Sequence, residues 1–169
     1  MFENLITSIE NGIKLFDGLY HIKNCLSQSE LNLCKELYKS SGEKVPLQED
    51  KPRLQRIVDF DFSKITKIIN KNHDKSLRHI SGILWEDTEG YKLDKHVDND
   101  NVFLALQIYL PSTAQKRTGT IFYANKKVQI PFVPNTGYFC IIPQEMSHSS
   151  GRPVRKGTYR RSLYCIGYE

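Results

Sequence analysis

The chain has 169 residues, of which 39% are hydrophobic, 25% charged and 11% aromatic, and its formal net charge is +5. That length suits one domain over residues 1–169 with a real core. The composition excludes a disordered or collagen-like chain, and no apolar run reaches the roughly 18 residues of a membrane helix. The opening MFENLITSIENG has no basic segment leading into an apolar one, so no secretory leader is expected. Cys25, Cys34, Cys140 and Cys165 are scattered with no CxxC pair, which suits buried, reduced thiols in a cytoplasmic protein.

Residues 1–78 read as a mostly helical support region. GLYHIKNCL is a strand pattern, and SQSE follows it: Ser27 with Glu30 three positions later is a capping box. Leu31, Leu33, Cys34 and Leu37 then form a helical stripe that Ser40–Gly42 should end. The polar stretch Glu43–Arg53 reads as loop, and Phe62–Asn72 as a second helix with Ile65, Ile68 and Ile69 inward. From His79 to the C-terminus the chain changes character. HISGILWED, VFLALQIYLP, GTIFYA, VQIPFV, TGYFCII and RRSLYCIGYE are short, rich in β-branched and aromatic residues, and separated by turn residues. Such a series predicts a sandwich, barrel or jelly roll over 79–169, with the helices on one outer face. The fold class is α+β, mainly β.

Two strands carry more than packing information. In VFLALQIYL, Val102, Leu104, Leu106, Ile108 and Leu110 share an apolar face that should meet the helices. Phe103, Ala105, Gln107 and Tyr109 share the other, where an amide and a phenol among apolar neighbours suit a ligand pocket. In RRSLYCIGY, Arg160, Ser162, Tyr164 and Ile166 lie together, so an arginine and a serine stand side by side near Tyr109. A guanidinium meets a carboxylate with a planar fork, and a buried one needs such a partner.

The stretch KHVDNDN holds the only His-x-Asp of the chain, His96 and Asp98. On an extended chain these side chains point the same way about 7 Å apart at Cα, within reach of one ion. A third histidine, His148 in QEMSHSSGRPV, follows several strands later, where the sheet can return to the same mouth. Two histidines and one carboxylate form the facial triad of non-haem Fe(II) oxygenases. KHVDNDN should therefore begin as strand and end as turn.

Taken together, HVDN, the strand ending IYLP, the GT before a short strand, SHSSGRPV and RRSL resemble the Fe(II)/2-oxoglutarate-dependent dioxygenases. The likeness is greatest to their prolyl-4-hydroxylase-like branch and spans Ile83 to the C-terminus. It implies a double-stranded β-helix (jelly roll), with His96, Asp98 and His148 as iron ligands and as the catalytic residues. It implies Arg160 as the anchor for the distal carboxylate of 2-oxoglutarate, assisted by Tyr109 and Ser162, with Tyr91 lining the same pocket. His148 and Arg160 are twelve residues apart, wider than usual for the branch, which leaves Arg161 and Arg155 as alternative anchors.

The implied cofactors are Fe(II), 2-oxoglutarate and O2, with ascorbate as an accessory reductant. The implied reaction hydroxylates a C–H bond with release of succinate and CO2. The substrate would be a protein side chain of prolyl type or an acidic small molecule, the latter favoured by Arg152, Arg155 and Lys156 after the third ligand. A membrane partner is not expected. Nucleic acid is disfavoured, because the Arg-x-Asn-rich terminal motif of the demethylase branch is missing. The competing reading is a non-oxidative cupin-like binding protein or isomerase, although cupins usually offer HxH.

Overall fold

The computed structural model describes residues 2–39 and 53–169. Among the described residues, ten strands form two antiparallel sheets, with three helices on the outside. In chain order these are α1 (Glu3–Glu10), β1 (Ile13–Phe16), β2 (Leu19–Lys23), α2 (Gln28–Lys39), β3 (Arg53–Val58), α3 (Ser63–His73), β4 (His79–Asp87) and β5 (Leu104–Leu110). A 3-10 turn at Lys116–Thr118 precedes β6 (Thr120–Tyr123), β7 (Lys127–Ile130), β8 (Thr136–Cys140), β9 (Ser147–Ser150) and β10 (Arg160–Tyr168). The larger sheet runs β1-β2-β8-β5-β10-β4-β3, and the smaller runs β7-β6-β9. Chain neighbours such as β5 and β6 lie in different sheets, which is the jelly-roll arrangement that the strand pattern predicts.

The helices form as their sequences dictate. At the start of α2 the Glu30 carboxylate accepts the Ser27 backbone N–H at 2.8 Å, and Glu30 N–H donates to the Ser27 hydroxyl at 3.3 Å, the reciprocal pair of a capping box. The α3 helix buries Ile65 and Ile69 and stops at Asp74 in the left-handed region, φ 50°. With α1 and α2 it covers Leu104, Leu106, Ile108 and Leu110 of β5, so the apolar face of that strand meets the helices as expected. No helix among the described residues is long and apolar enough to cross a membrane. All four cysteines are free and buried.

The first half of the chain supplies more strand than its sequence suggests. It contributes β1, β2 and β3, of which only β2 has a clear pattern. Arg53, read as the end of a loop, is the first residue of β3. The helix stop at Ser40–Gly42 and the loop from Glu43 to Pro52 lie outside the described residues. Val102 is buried but precedes β5, which starts at Leu104. KHVDNDN is not a regular strand either, since only His96 makes a β-bridge, to His148.

Antiparallel register places residues of the larger sheet in rows facing the smaller one. Asp87 of β4 stands between Arg53 of β3 and Arg160 of β10. Two residues along, Trp85 lines up with Ser162 and Tyr109, and after two more Tyr164 lines up with Gln107 and Tyr138. Gly137 permits the β5–β8 contact here: a Cβ would lie 1.8 Å from the Gln107 carbonyl oxygen. The side chains of this face and of the smaller sheet make a second core around Tyr109, Phe122, Phe132 and Tyr138.

Candidate functional site

His96 and His148 are joined through the backbone. The N–H of His96 donates to the His148 carbonyl at 2.9 Å, and that of His148 donates back at 2.8 Å. Their rings are thereby held 4.3 Å apart, centroid to centroid. His96 Nδ1 lies 2.9 Å from the Asp94 carbonyl oxygen and His148 Nδ1 lies 3.1 Å from that of Met146. A carbonyl can only accept, so in the neutral rings Nδ1 carries the proton and Nε2 keeps its lone pair for a ligand role. Both Nε2 atoms lie 3.8 Å from Asp98 Oδ1.

That separation is too long for a hydrogen bond. It is short enough for one cation to touch both atoms, since metal–ligand bonds of this kind run about 2.0–2.2 Å. All three ligand atoms lie within 4.8 Å of one another. Asp98 Oδ2 is buried with no hydrogen-bond partner, which is costly for a carboxylate unless a cation completes it. Burial, with a contribution from His96, holds His148 below the usual histidine range although Asp98 pulls it up, favouring the neutral imidazole a metal needs. The donor set fits a divalent first-row metal, and two nitrogens with one carboxylate leave positions for other ligands.

The triad closes one end of a cavity of about 160 Å³. The far wall is cationic. Arg160 is almost wholly buried and donates to Asp87 Oδ2 from Nε at 2.8 Å and from Nη2 at 2.5 Å. Its Nη1 donates to the Thr118 carbonyl. Burial works against the Arg160 charge, but the Asp87 carboxylate outweighs it and holds the guanidinium above its ordinary pKa. Arg53 donates from Nε to the other oxygen of Asp87 at 2.5 Å. Its guanidinium lies 3.9 Å from the Trp85 ring centroid and 4.2 Å from that of Tyr91. Two arginines thus share one carboxylate, and both line the cavity, leaving one net positive charge there. The Trp85 indole N–H, on the same cavity's lining, is buried without a partner.

Between the two ends runs a closed hydrogen-bond network. Gln107 Oε1 accepts from the Tyr138 hydroxyl at 3.0 Å and from Thr120 Oγ1 at 3.2 Å, while Gln107 Nε2 donates to Ser162 Oγ at 2.9 Å. The Tyr109 hydroxyl donates to Thr120 Oγ1 at 2.9 Å and accepts the Thr120 N–H at 2.9 Å. Burial raises the hydroxyl pKa of Tyr109, Tyr138 and Tyr164, so these phenols stay protonated.

The residues singled out from sequence therefore fall in different places. His96, Asp98, His148 and Arg160 all line the cavity. Tyr109 and Ser162 stand one layer behind it, on Thr120 and Gln107. Tyr91 packs behind the arginines, and burial pushes its hydroxyl up to about 12. Arg161 points the other way, pairing with Glu86 at 2.6 Å and stacking on Tyr38 and Tyr159, and Arg155 is exposed. Of the three arginines considered, only Arg160 reaches the cavity. Sequence reasoning missed Arg53, Trp85 and Asp87. Alternation in HISGILWED places Trp85 and Asp87 on one face, and an acid ending a buried strand was a usable signal. Arg53 gave none, because nothing marked its segment as strand.

No family model matches this sequence, and no curated protein matches it. Solved structures do. A prolyl-4-hydroxylase from Pseudomonas putida superposes with a TM-score of 0.78 at 14% identity, covering 98% of each chain. The fold is that of the prolyl-4-hydroxylases. A prolyl hydroxylase from Trichoplax adhaerens, in complex with a hypoxia-inducible-factor peptide fragment, gives a TM-score of 0.68 at 13% identity over 97% of this chain and 89% of that one. The α-ketoglutarate-dependent epimerase SnoN of nogalamycin biosynthesis gives 0.67 at 12% identity over 99% and 82%. These structural neighbours thus include enzymes with different reaction outcomes on one scaffold, and function has to be argued from the site.

Proposed function

We propose that the protein is an Fe(II)- and 2-oxoglutarate-dependent hydroxylase acting on a protein side chain of prolyl type or an acidic small molecule. The observation that carries this reading is the two-ended cavity: a His-Asp-His triad within 4.8 Å at one end and a paired-arginine wall at the other. An elongated ligand with a chelating end and a carboxylate end matches both. When bound, the metal and 2-oxoglutarate supply the oxidising chemistry: with O2, the cosubstrate is converted to succinate and CO2 while a substrate C–H becomes C–OH.

The chain's own residues bind, orient and exclude water. His96, Asp98 and His148 hold the ion, with Nδ1 of each imidazole tied to the backbone so that Nε2 cannot turn away. Arg160 and Arg53 hold the distal carboxylate; sharing Asp87 offsets one of their two charges and leaves the other for the ligand. The Trp85 N–H is a neutral donor along the wall, whereas the Tyr138 hydroxyl spends its proton on Gln107. Tyr109 and Ser162 act as positioning residues, fixing Thr120 and Gln107. No side-chain base is needed, since the oxidation belongs to the cofactor pair.

The first test is anaerobic addition of Fe(II) and 2-oxoglutarate to the apoprotein, followed by visible absorption for the metal-to-cosubstrate charge-transfer band. The band should appear with wild type and be lost in His96→Ala. Arg160→Lys and Arg53→Met should each weaken 2-oxoglutarate binding by about ten- to a hundredfold, the worth of a charge-assisted hydrogen bond. Neither should affect 2-oxopentanoate, which lacks the distal carboxylate. No band from folded wild-type protein would overturn the oxygenase reading.

A further inference from the structure

The charge of this protein is segregated along its sequence. Residues 102–169 contain only two of the 19 acidic residues, Glu145 and Glu169, but nine of the 24 lysines and arginines. Three of those nine, Arg117, Lys127 and Arg152, meet Lys92 and Lys95 at the outer face of the smaller sheet. Thr120 and Phe122 of β6 point inward to the second core, so Ile121 and Tyr123 point out, together with Lys127 and Gln129 of β7 and Ser149 of β9. A groove of about 630 Å³ lies over this face. Its lining among the described residues includes Lys92, Lys95, Arg117, Lys127 and Arg152, with Asp94 as the one acidic residue. Lys95 Nζ stands 4.7 Å and Lys127 Nζ 5.9 Å from the Tyr123 ring centroid, and the Tyr123 hydroxyl bonds Ser149 Oγ at 3.0 Å.

The groove lies one strand from the metal triad. Residues Leu93 to His96 run along β9: Ser150 N–H donates to Leu93 O at 3.0 Å, and His96 and His148 exchange their backbone bonds. Along this outermost segment Lys95 faces the groove and the next residue, His96, faces the metal site. Ser149 and Ser150 of β9 border both spaces. The segment's surface is open: Val97 is 49% exposed, and His96 is the most exposed of the three ligands. A chain lying in the groove can pass over this ridge and present a side chain at the mouth of the cavity.

We propose that the groove is a docking surface for an acidic stretch of a protein substrate, placed next to the residue that is hydroxylated. This deepens the hydroxylase reading and rests on its protein-substrate form. Charge complementarity selects the occupant, since five cations against one acid favour a polyanion and steer its approach. A single aromatic platform favours a peptide over a single-stranded nucleic acid, which stacks successive bases on several rings. Lys95 and His96 face opposite sides of the sheet, so a chain crossing between them spans one sheet thickness, about 10 Å, and an extended chain advances about 3.3 Å per residue. The acidic run should therefore lie about three to five residues from the reacting one.

The test uses fluorescein-labelled deca-glutamate, with anisotropy measured on metal-free full-length protein. Binding should tighten as salt is lowered. The variant Lys127→Glu/Arg152→Glu should weaken it at least about tenfold. Lys67→Glu/Lys71→Glu, the same charge change on exposed α3 positions, should alter it less than about twofold. Equal losses in the two variants would reduce the effect to net charge and overturn the proposal. Deca-thymidylate binding as tightly as deca-glutamate, with the same sensitivity to Lys127→Glu/Arg152→Glu, would overturn it in favour of a nucleic acid. Because the measurement needs no metal, failure of the oxygenase reading leaves its outcome unchanged. Proline peptides with the acidic run at increasing separation, assayed for succinate, then test the spacing; no optimum near three to five residues would sink the ridge geometry.

Discussion

The two faces of the larger sheet have opposite chemistry on shared strands. On the helix side, β5 presents Leu104, Leu106, Ile108 and Leu110, all buried among apolar side chains. On the cavity side it presents Gln107 and Tyr109, beside Ser162 and Tyr164 of β10 and Asp87 of β4, and almost every polar atom is spent on another. The helix face holds the fold by area, whereas the cavity face stays folded through satisfied polar pairs. Substitutions on the first should cost stability alone, and substitutions on the second should separate stability from ligand binding.

The largest effect is expected at Asp87, where the cavity face has most to lose. Asp87→Ala strands two buried guanidiniums and should cost about 3–5 kcal/mol in urea unfolding. A loss below 1 kcal/mol would mean that water or rearrangement satisfies Arg53 and Arg160. Next, Leu106→Ala should cost about 2–5 kcal/mol while leaving metal affinity unchanged in a Mn(II) titration. Coupled loss of both would break the division between the faces.

Asp98→Ala should invert that pattern. Metal affinity should fall at least about a hundredfold, beyond the usual effect of removing a ligand's supporting partner. The metal-free protein should be no less stable than wild type, because a buried oxygen without a partner is removed. Lower stability of the metal-free variant would show that Asp98 serves the fold and not an ion.

The smallest effect concerns pH. Burial holds His21, His73 and His148 below the ordinary histidine value of 6.5. In the window below 6.5 the unfolded chain therefore binds more protons than the folded one, and stability falls as pH falls. The urea midpoint of metal-free protein should decline modestly from neutral pH into this window. A rise would mean that the folded histidines gain a favourable partner for their charge.

Much of the architecture was legible in the sequence because it depends on local periodicity. Strict alternation in VFLALQIYL and RRSLYCIGY separates the two faces, and Ser27 with Glu30 marks the start of α2. The short edge segments were not legible. In Ile13–Phe16 (IKLF) and Arg53–Val58 (RLQRIV) charged and apolar residues do not alternate strictly, and pairing with neighbouring strands makes them strands. The candidate metal triad was half legible: His-x-Asp is visible in seven residues, but the backbone bridge to His148 exists only once the sheet returns.

The sequence by itself determined which side chains share a face and where a histidine–carboxylate pair stands, because both follow from the two-residue repeat of an extended chain. The tertiary structure alone decided that Arg160 meets Asp87, that Arg53 joins them, and that Lys95 and His96 look out on opposite sides of one ridge. Those pairings are set by strand register, and register is fixed by the packing of the whole sheet against its helices, which no single segment encodes.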